Sequence, residues 1–213
     1  MNAHAKTAPF EAHLDVYEQW FEENRFAYLS EIEAIRKVWP SQGRTIEIGI
    51  GSGLFALPLG IAEGIDPSPA MRAKAIQRGL NVTEAVAEKL PYRDSSIDAA
   101  LMVTTICFVN DPLETFHETA RVLKPGGVLV VAFVDRNSPI GQSYLQHQDK
   151  SLFYKEATFF CTQEITSLLH QTGFFISAIY QTIFTDIKIL QTVEIPRTGS
   201  GEGSFIVIRA EKQ

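Results

Sequence analysis

Residues 45–53, Thr-Ile-Glu-Ile-Gly-Ile-Gly-Ser-Gly, read as a buried strand that runs into a glycine turn and then a helix. Glu47 stands two residues before the first glycine, and Gly49, Gly51 and Gly53 follow at every second position. Lacking a Cβ, glycine lets the chain turn sharply and lets a ligand approach where a side chain would clash. The helix that follows offers free N–H groups and the positive end of its dipole at the same point. The pattern predicts a nucleotide-like cofactor above this strand end. For the glycines alone, a tight turn without a ligand is the alternative.

Upstream, apolar residues recur every three to four positions from Phe10 to Trp39, which predicts a helical cap broken near Glu23–Asn24 and ended by Pro40. Residues 1–9 read as a disordered tail, and 10–213 as a single domain. Downstream, a second strand over 61–65 ends at Asp66, Pro67 and Ser68 open a helix over 69–78, and a third strand covers 80–86. Ile97 to Val103 is apolar almost throughout, as a central parallel strand is. Asp111-Pro112 opens a helix to Leu123, and Val128 to Val134 forms a fifth strand. Alternating strands and helices predict a doubly wound, mostly parallel sheet covered on both faces. Residues 135–160 and 183–203 read as irregular connections flanking a helix over 162–171 and a strand over 174–182, with a last strand over 204–211. The last two strands have no helix between them and are expected to pair antiparallel.

Composition sets outer limits. The 213 residues are 45% hydrophobic and 21% charged, ordinary for a soluble globular chain. A net charge of −6 with no Lys/Arg run argues against a nucleic-acid partner. No apolar run is long enough to span a membrane, and residues 1–9 lack the apolar core of a signal peptide. Cys107 and Cys161 are too far apart for a CxxC motif or a dense zinc site. A disulfide between them is the alternative to reduced thiols in the cytoplasm, which are the expectation.

Four segments, in order, resemble the class I S-adenosylmethionine-dependent methyltransferases of the small-molecule, type 11-like branch. They are Glu47-Ile-Gly-Ile-Gly-Ser-Gly53, Gly64-Ile-Asp-Pro-Ser-Pro-Ala-Met71, Ala87-Glu-Lys-Leu-Pro-Tyr92 and Val122-Leu-Lys-Pro-Gly-Gly127. The resemblance implies a seven-stranded Rossmann-like sheet of order 3-2-1-4-5-7-6 with strand 7 antiparallel. It also implies S-adenosylmethionine as cofactor, S-adenosylhomocysteine as product and a small-molecule methyl acceptor. On this resemblance Gly49, Gly51 and Gly53 cradle the cofactor and Glu47 faces its cationic amino end. Asp66, with Pro67 beside it, meets the ribose hydroxyls, although Asp66 could instead cap the following helix. Met71 packs on the adenine or simply in the core, and Ala87 or Glu88 meets the adenine edge. A common family pattern has Asp before Ala87, where this chain has Val86. Tyr17 and Trp20 close over the cofactor, or simply pack their helix on the sheet.

Thr104 follows the fourth strand and is expected beside the methionine part of the cofactor, since ligands lie beyond the carboxyl ends of such strands. Cys107 reads as a buried apolar thiol. The 135–160 and 183–203 connections are expected to build the acceptor pocket, with Tyr144, Phe153, Tyr154, Phe159, Phe160 and Phe184 as its aromatic lining, or as a core under the loops or a dimer surface. Asp135, His147, Tyr154 and Glu194 stand there as candidate bases, none carried by a motif, and no metal site is expected. A monomer or homodimer is expected. Two rivals share parts of this pattern: a non-catalytic cofactor-binding regulator and a nicotinamide-dependent oxidoreductase. The latter is disfavoured by the glycine spacing and by the lack of a Tyr-x-x-x-Lys motif.

Overall fold

The computed structural model describes residues 5–40 and 42–213. One sheet organises them, formed by β1 (Thr45–Ile48), β2 (Glu63–Ile65), β3 (Asn81–Thr83), β4 (Ile97–Val103), β5 (Leu123–Val134), β6 (Phe174–Thr182), β7 (Arg197–Thr198) and β8 (Phe205–Lys212). Its order is β3-β2-β1-β4-β5-β8-β6-β7. The first five strands pair in parallel, and β8 runs antiparallel between β5 and β6. The expected order is thus present, with β8 as the seventh strand. The two-residue β7 adds an eighth at the edge, inside the connection expected to be irregular.

The sheet separates two apolar layers, and β4 shows how. Ala100 and Met102 point into one layer with Ile46, Ile48, Phe116, Ile165 and Phe174. Ala99, Leu101 and Val103 point into the other with Ile32, Ile35, Phe55, Val130 and Phe205. A strand buried on both faces must be apolar at both parities, which is why 99–103 reads as a continuous apolar run.

The N-terminal cap is α1 (Ala8–Ala12), α2 (Leu14–Glu23) and α3 (Arg25–Arg36). The break falls at Asn24, as the pattern predicts. Residues 1–4 of the expected tail lie outside the described residues. Ala8 and Pro9 belong to α1, because Pro9 sits in the first helical turn, where its missing N–H costs nothing. The helix α4 (Ala56–Leu59) follows the glycine turn. The helix α5 (Pro69–Gln77) is capped by Ser68, whose hydroxyl accepts from the Met71 N–H. Asp111 caps α6 (Pro112–Val122) in the same way through the Glu114 N–H. The 135–160 connection holds a helix, α7 (Pro139–Gln146), capped by Ser138. The helix α8 (Thr162–Gln171) opens on Cys161 and Glu164. Among the described residues no helix is long and apolar enough to cross a membrane.

Candidate active site

The end of β1 and the turn after it form the floor of a cavity. Its three glycines answer three different demands. A Cβ on Gly49 would strike the Thr105 side chain, and one on Gly53 would strike Leu80. A Cβ on Gly51 would meet only the Tyr17 hydroxyl, 3.5 Å away. Gly49 and Gly53 are therefore packing glycines, whereas Gly51 faces open space. All three have positive φ, the region where other residues are strained.

The cavity above Gly51 holds about 780 Å³ of space, counting the part open to solvent. Tyr17, Gly49, Gly51, Asp66, Pro67, Met71, Ala87, Glu88 and Thr104 line it. Three expected residues do not. Gly53 backs onto Leu80. Trp20 lines a second, adjacent cavity of about 900 Å³. Glu47 lies behind the turn, buried and outside the wall, with Oε2 lacking any hydrogen-bond partner. Burial holds its carboxyl well above the usual range, Asp66 adds to this, and the Ala56 backbone N–H opposes it.

Asp66 ends β2 with both oxygens engaged. Oδ2 accepts from the Gly51 N–H and Oδ1 from the Ser68 N–H, each at 2.8 Å. The N-cap of α5 is Ser68, not Asp66, so Asp66 instead ties the glycine turn to the end of β2. Each carboxylate oxygen has a further lone pair that can still accept from a ligand hydroxyl. Burial raises its pKa, and those two backbone N–H groups pull it back. Glu88 is partly committed as well: its Oε1 accepts from the Asn110 N–H at 2.6 Å and the Asp111 N–H at 3.2 Å.

Tyr17 is held over the turn by its neighbour. Glu18 accepts from Arg78 and pairs with Lys74, both near α5, and Arg78 also donates to the Ser52 carbonyl at 2.7 Å. Burial pushes the Tyr17 hydroxyl well above its usual range, with Glu47 and Asp66 acting the same way, so it stays protonated. Phe10 and Phe153 pack on its ring, with centroids 5.9 and 6.2 Å away.

The two cavities share a wall of Phe10, Tyr17, Thr104 and Phe108. Thr104 adopts φ 48°, which a β-branched residue rarely does, and its N–H is fixed to the Ala132 carbonyl at 2.8 Å. The second cavity takes Ile140, Tyr144, Phe153 and Tyr154 from one connection and Ile183 and Ile187 from the other. Phe159, Phe160 and Phe184 are absent from its lining: Phe159 packs behind Tyr144 and Tyr154, and the Arg197 guanidinium stacks on the Phe184 ring, 4.2 Å from the centroid.

Three candidate bases have structural employment. Asp135 accepts from the Thr162 N–H and hydroxyl and from the Asn137 N–H, which anchors α8 to the end of β5. Glu194 accepts from the Phe184 and Thr185 N–H groups. His147 is exposed and bonds the Ser143 carbonyl at 2.8 Å. Burial pushes the Cys107 thiol up to about 12, and its hydrogen goes to the Thr104 carbonyl at 3.0 Å, so it is inert packing. Cys107 and Cys161 are both free.

Glu31 is the residue that the sequence reading missed. It sits on the buried stripe of α3, is 7% exposed, and lines the second cavity. The signal was present: a carboxylate at i+4 from Ala27, i+3 from Tyr28 and i−4 from Ile35, where helical period calls for an apolar side chain.

A strand, glycine turn and acid at the next strand end, on a sheet of this order, define a nucleotide-cofactor enzyme of the Rossmann-like class. Residues 46–131 match a family described as a methyltransferase domain. A SAM-dependent methyltransferase structure from Thermotoga maritima, described as a possible histamine N-methyltransferase, is 45% identical. It covers 98% of this chain and 100% of that one with a TM-score of 0.95. An uncharacterized protein of Methanocaldococcus jannaschii is 40% identical over 95% of this chain and 98% of its own length. One from Mycobacterium tuberculosis is 36% identical over 92% of this chain and 71% of its own. This chain belongs to the S-adenosylmethionine-dependent methyltransferases. That membership sets aside both the oxidoreductase and the non-catalytic alternatives.

Proposed function

We propose that this enzyme transfers the methyl group of S-adenosylmethionine to a small-molecule acceptor by direct in-line displacement, with cofactor and acceptor in the two adjoining cavities. The observation that carries this reading is their common wall of Phe10, Tyr17, Thr104 and Phe108. When bound, S-adenosylmethionine supplies a methyl group already activated on a sulfonium. Placement and exclusion of water are then the protein's main tasks.

The residues present fit that cofactor. Gly51 leaves room for backbone approach at the turn. Asp66 retains acceptor capacity for ribose hydroxyls while holding the Gly51 N–H. Met71 supplies an apolar face for the adenine. With one Glu88 oxygen held by the 110–111 backbone, the adenine edge falls to the Ala87–Glu88 backbone and the free Glu88 oxygen. Glu47 acts at one remove: its buried, unpartnered carboxyl gains a charge partner when a cationic amino end binds above the turn, and that cation favours its ionised form. Trp20 belongs with the acceptor side, and Tyr17 with both.

The 135–160 and 183–203 segments build the acceptor pocket within one domain, supported by the six residues they give the second cavity. A cytoplasmic setting agrees with two buried free thiols. The test is an acceptor screen scored by S-adenosylhomocysteine release, run on wild type and on Phe108→Trp. The variant fills the shared wall and is expected to lose turnover. Unchanged turnover in Phe108→Trp would count against transfer through that wall.

A further inference from the structure

Glu31 has no assigned task, and its surroundings give it one. Among the described residues no cation pairs with it and burial alone acts on its titration. Yet it stands in a cavity walled by Tyr17, Trp20, Phe21, Phe108, Tyr144 and Tyr154. Its charge is felt by the hydroxyls of Tyr17, Tyr28, Tyr144 and Tyr154, which come from α2, α3, α7 and the segment after it. As part of the cavity wall, Glu31 borders the space those elements enclose.

A buried carboxylate with no partner is expensive, and an apolar side chain at this helical position would remove the cost. An apolar acceptor gains nothing from it, and an anionic acceptor would be repelled. A cation is favoured twice, by the carboxylate and by the faces of the aromatic rings. We propose that Glu31 is the acceptor-binding carboxylate and that the acceptor is an amine, held as its ammonium between Glu31 and the aromatic walls. This rests on the reading of the second cavity as the acceptor pocket.

An ammonium nitrogen has no lone pair, so it must lose a proton before it can be methylated. Glu31 takes that proton and becomes neutral. The freed lone pair forms the new nitrogen–carbon bond as the methyl carbon–sulfur bond breaks, and the sulfur keeps the bonding pair. The positive charge ends on the methylated nitrogen, and Glu31 returns its proton to solvent as product leaves. Without a cation beside it, burial pushes Glu31 up to about 8; a bound ammonium favours its ionised form, so the carboxylate is present when the amine is held and can take the proton.

The test is calorimetry on protein saturated with S-adenosylhomocysteine. The probes are phenethylamine and tryptamine, each paired with its uncharged counterpart, 2-phenylethanol and tryptophol. The amines are expected to bind at least about tenfold tighter than the alcohols, and Glu31→Gln to remove that preference while leaving S-adenosylhomocysteine affinity unchanged. Alcohols binding as tightly as amines, Glu31→Gln binding amines as wild type does, or no amine binding at all would overturn the proposal. If Glu31→Gln does not fold, the wild-type amine-to-alcohol ratio decides. Failure of S-adenosylhomocysteine to bind, or its displacement by the amines, would instead strike the two-cavity reading.

Discussion

The Asp66 carboxylate accepts the Gly51 N–H at 2.8 Å, so the acid at the end of β2 holds in place the one glycine of the turn that faces open space. Binding and folding are thereby coupled at Asp66. Its position at a strand end suggests that it could be removed without harm to the fold, but two backbone N–H groups depend on it. Asp66→Ala is expected to cost about 1–3 kcal/mol of stability for each donor left unpaired, besides weakening cofactor binding. Denaturant melts and calorimetry on the same preparation separate the two losses. Asp66→Ala with wild-type stability would show that water replaces the carboxylate at both donors.

Gly51 and Gly53 are two residues apart and should fail differently. Gly51→Ala puts its methyl into the cavity, so cofactor affinity should fall with a stability loss of about 1 kcal/mol from the positive φ. Gly53→Ala drives its methyl into Leu80 and should lose more stability than that. Thermal melts paired with S-adenosylhomocysteine titrations test the contrast, and equal stability losses would refute it.

Tyr17 lines both cavities, Tyr154 only the second. Tyr17→Ala is expected to weaken cofactor binding by roughly tenfold, about 1.4 kcal/mol, and also to slow acceptor turnover. Tyr154→Ala should slow turnover and leave cofactor affinity intact. Equal losses of cofactor affinity in the two variants would mean that the 135–160 segment belongs to the cofactor site.

Glu31 also makes a prediction about pH. Burial raises its carboxyl from 4.5 to about 8, so the folded chain holds a proton there that the unfolded chain releases. The associated stability is fully present below about pH 4.5 and is lost as pH rises through about 8. Tyr17, Tyr144 and Tyr154, which share its cavity, and Tyr28 on the same helix are all raised and stay neutral across this window. Glu47 is common to both proteins and cancels. The stability of Glu31→Gln relative to wild type should therefore grow from pH 5 to pH 9, by on the order of 2–4 kcal/mol. A difference independent of pH would mean that Glu31 is ionised in the folded protein throughout.

Much of this was legible in the sequence where the signal is local. The fourth strand was readable at its true bounds, Ile97–Val103, because a strand buried on both faces is apolar at both parities, with the partly buried Asp98 near its start as the exception. The helix break at Asn24 and the floor at Gly51 were equally direct. The third strand, Asn81–Thr83, is shorter than the expected 80–86, because after Thr83 the chain leaves the sheet and Val86 instead bridges to Lys89. The helix at Pro139–Gln146 carried its Ser138-Pro139 signature inside a segment read as irregular. The two residues of β7 are too few to show any period. Glu88 is held by amides more than twenty positions away in the chain, a contact that no local pattern reveals.

The most direct measurement is a thermal melt of the wild-type protein with saturating S-adenosylhomocysteine and, separately, with NADH. A ligand at a hundred times its Kd adds about 2.7 kcal/mol to the folded state, which for a domain of this size raises Tm by roughly 5–10 °C. The account predicts that rise with S-adenosylhomocysteine and none with NADH. A rise with NADH alone, or with neither, would contradict it.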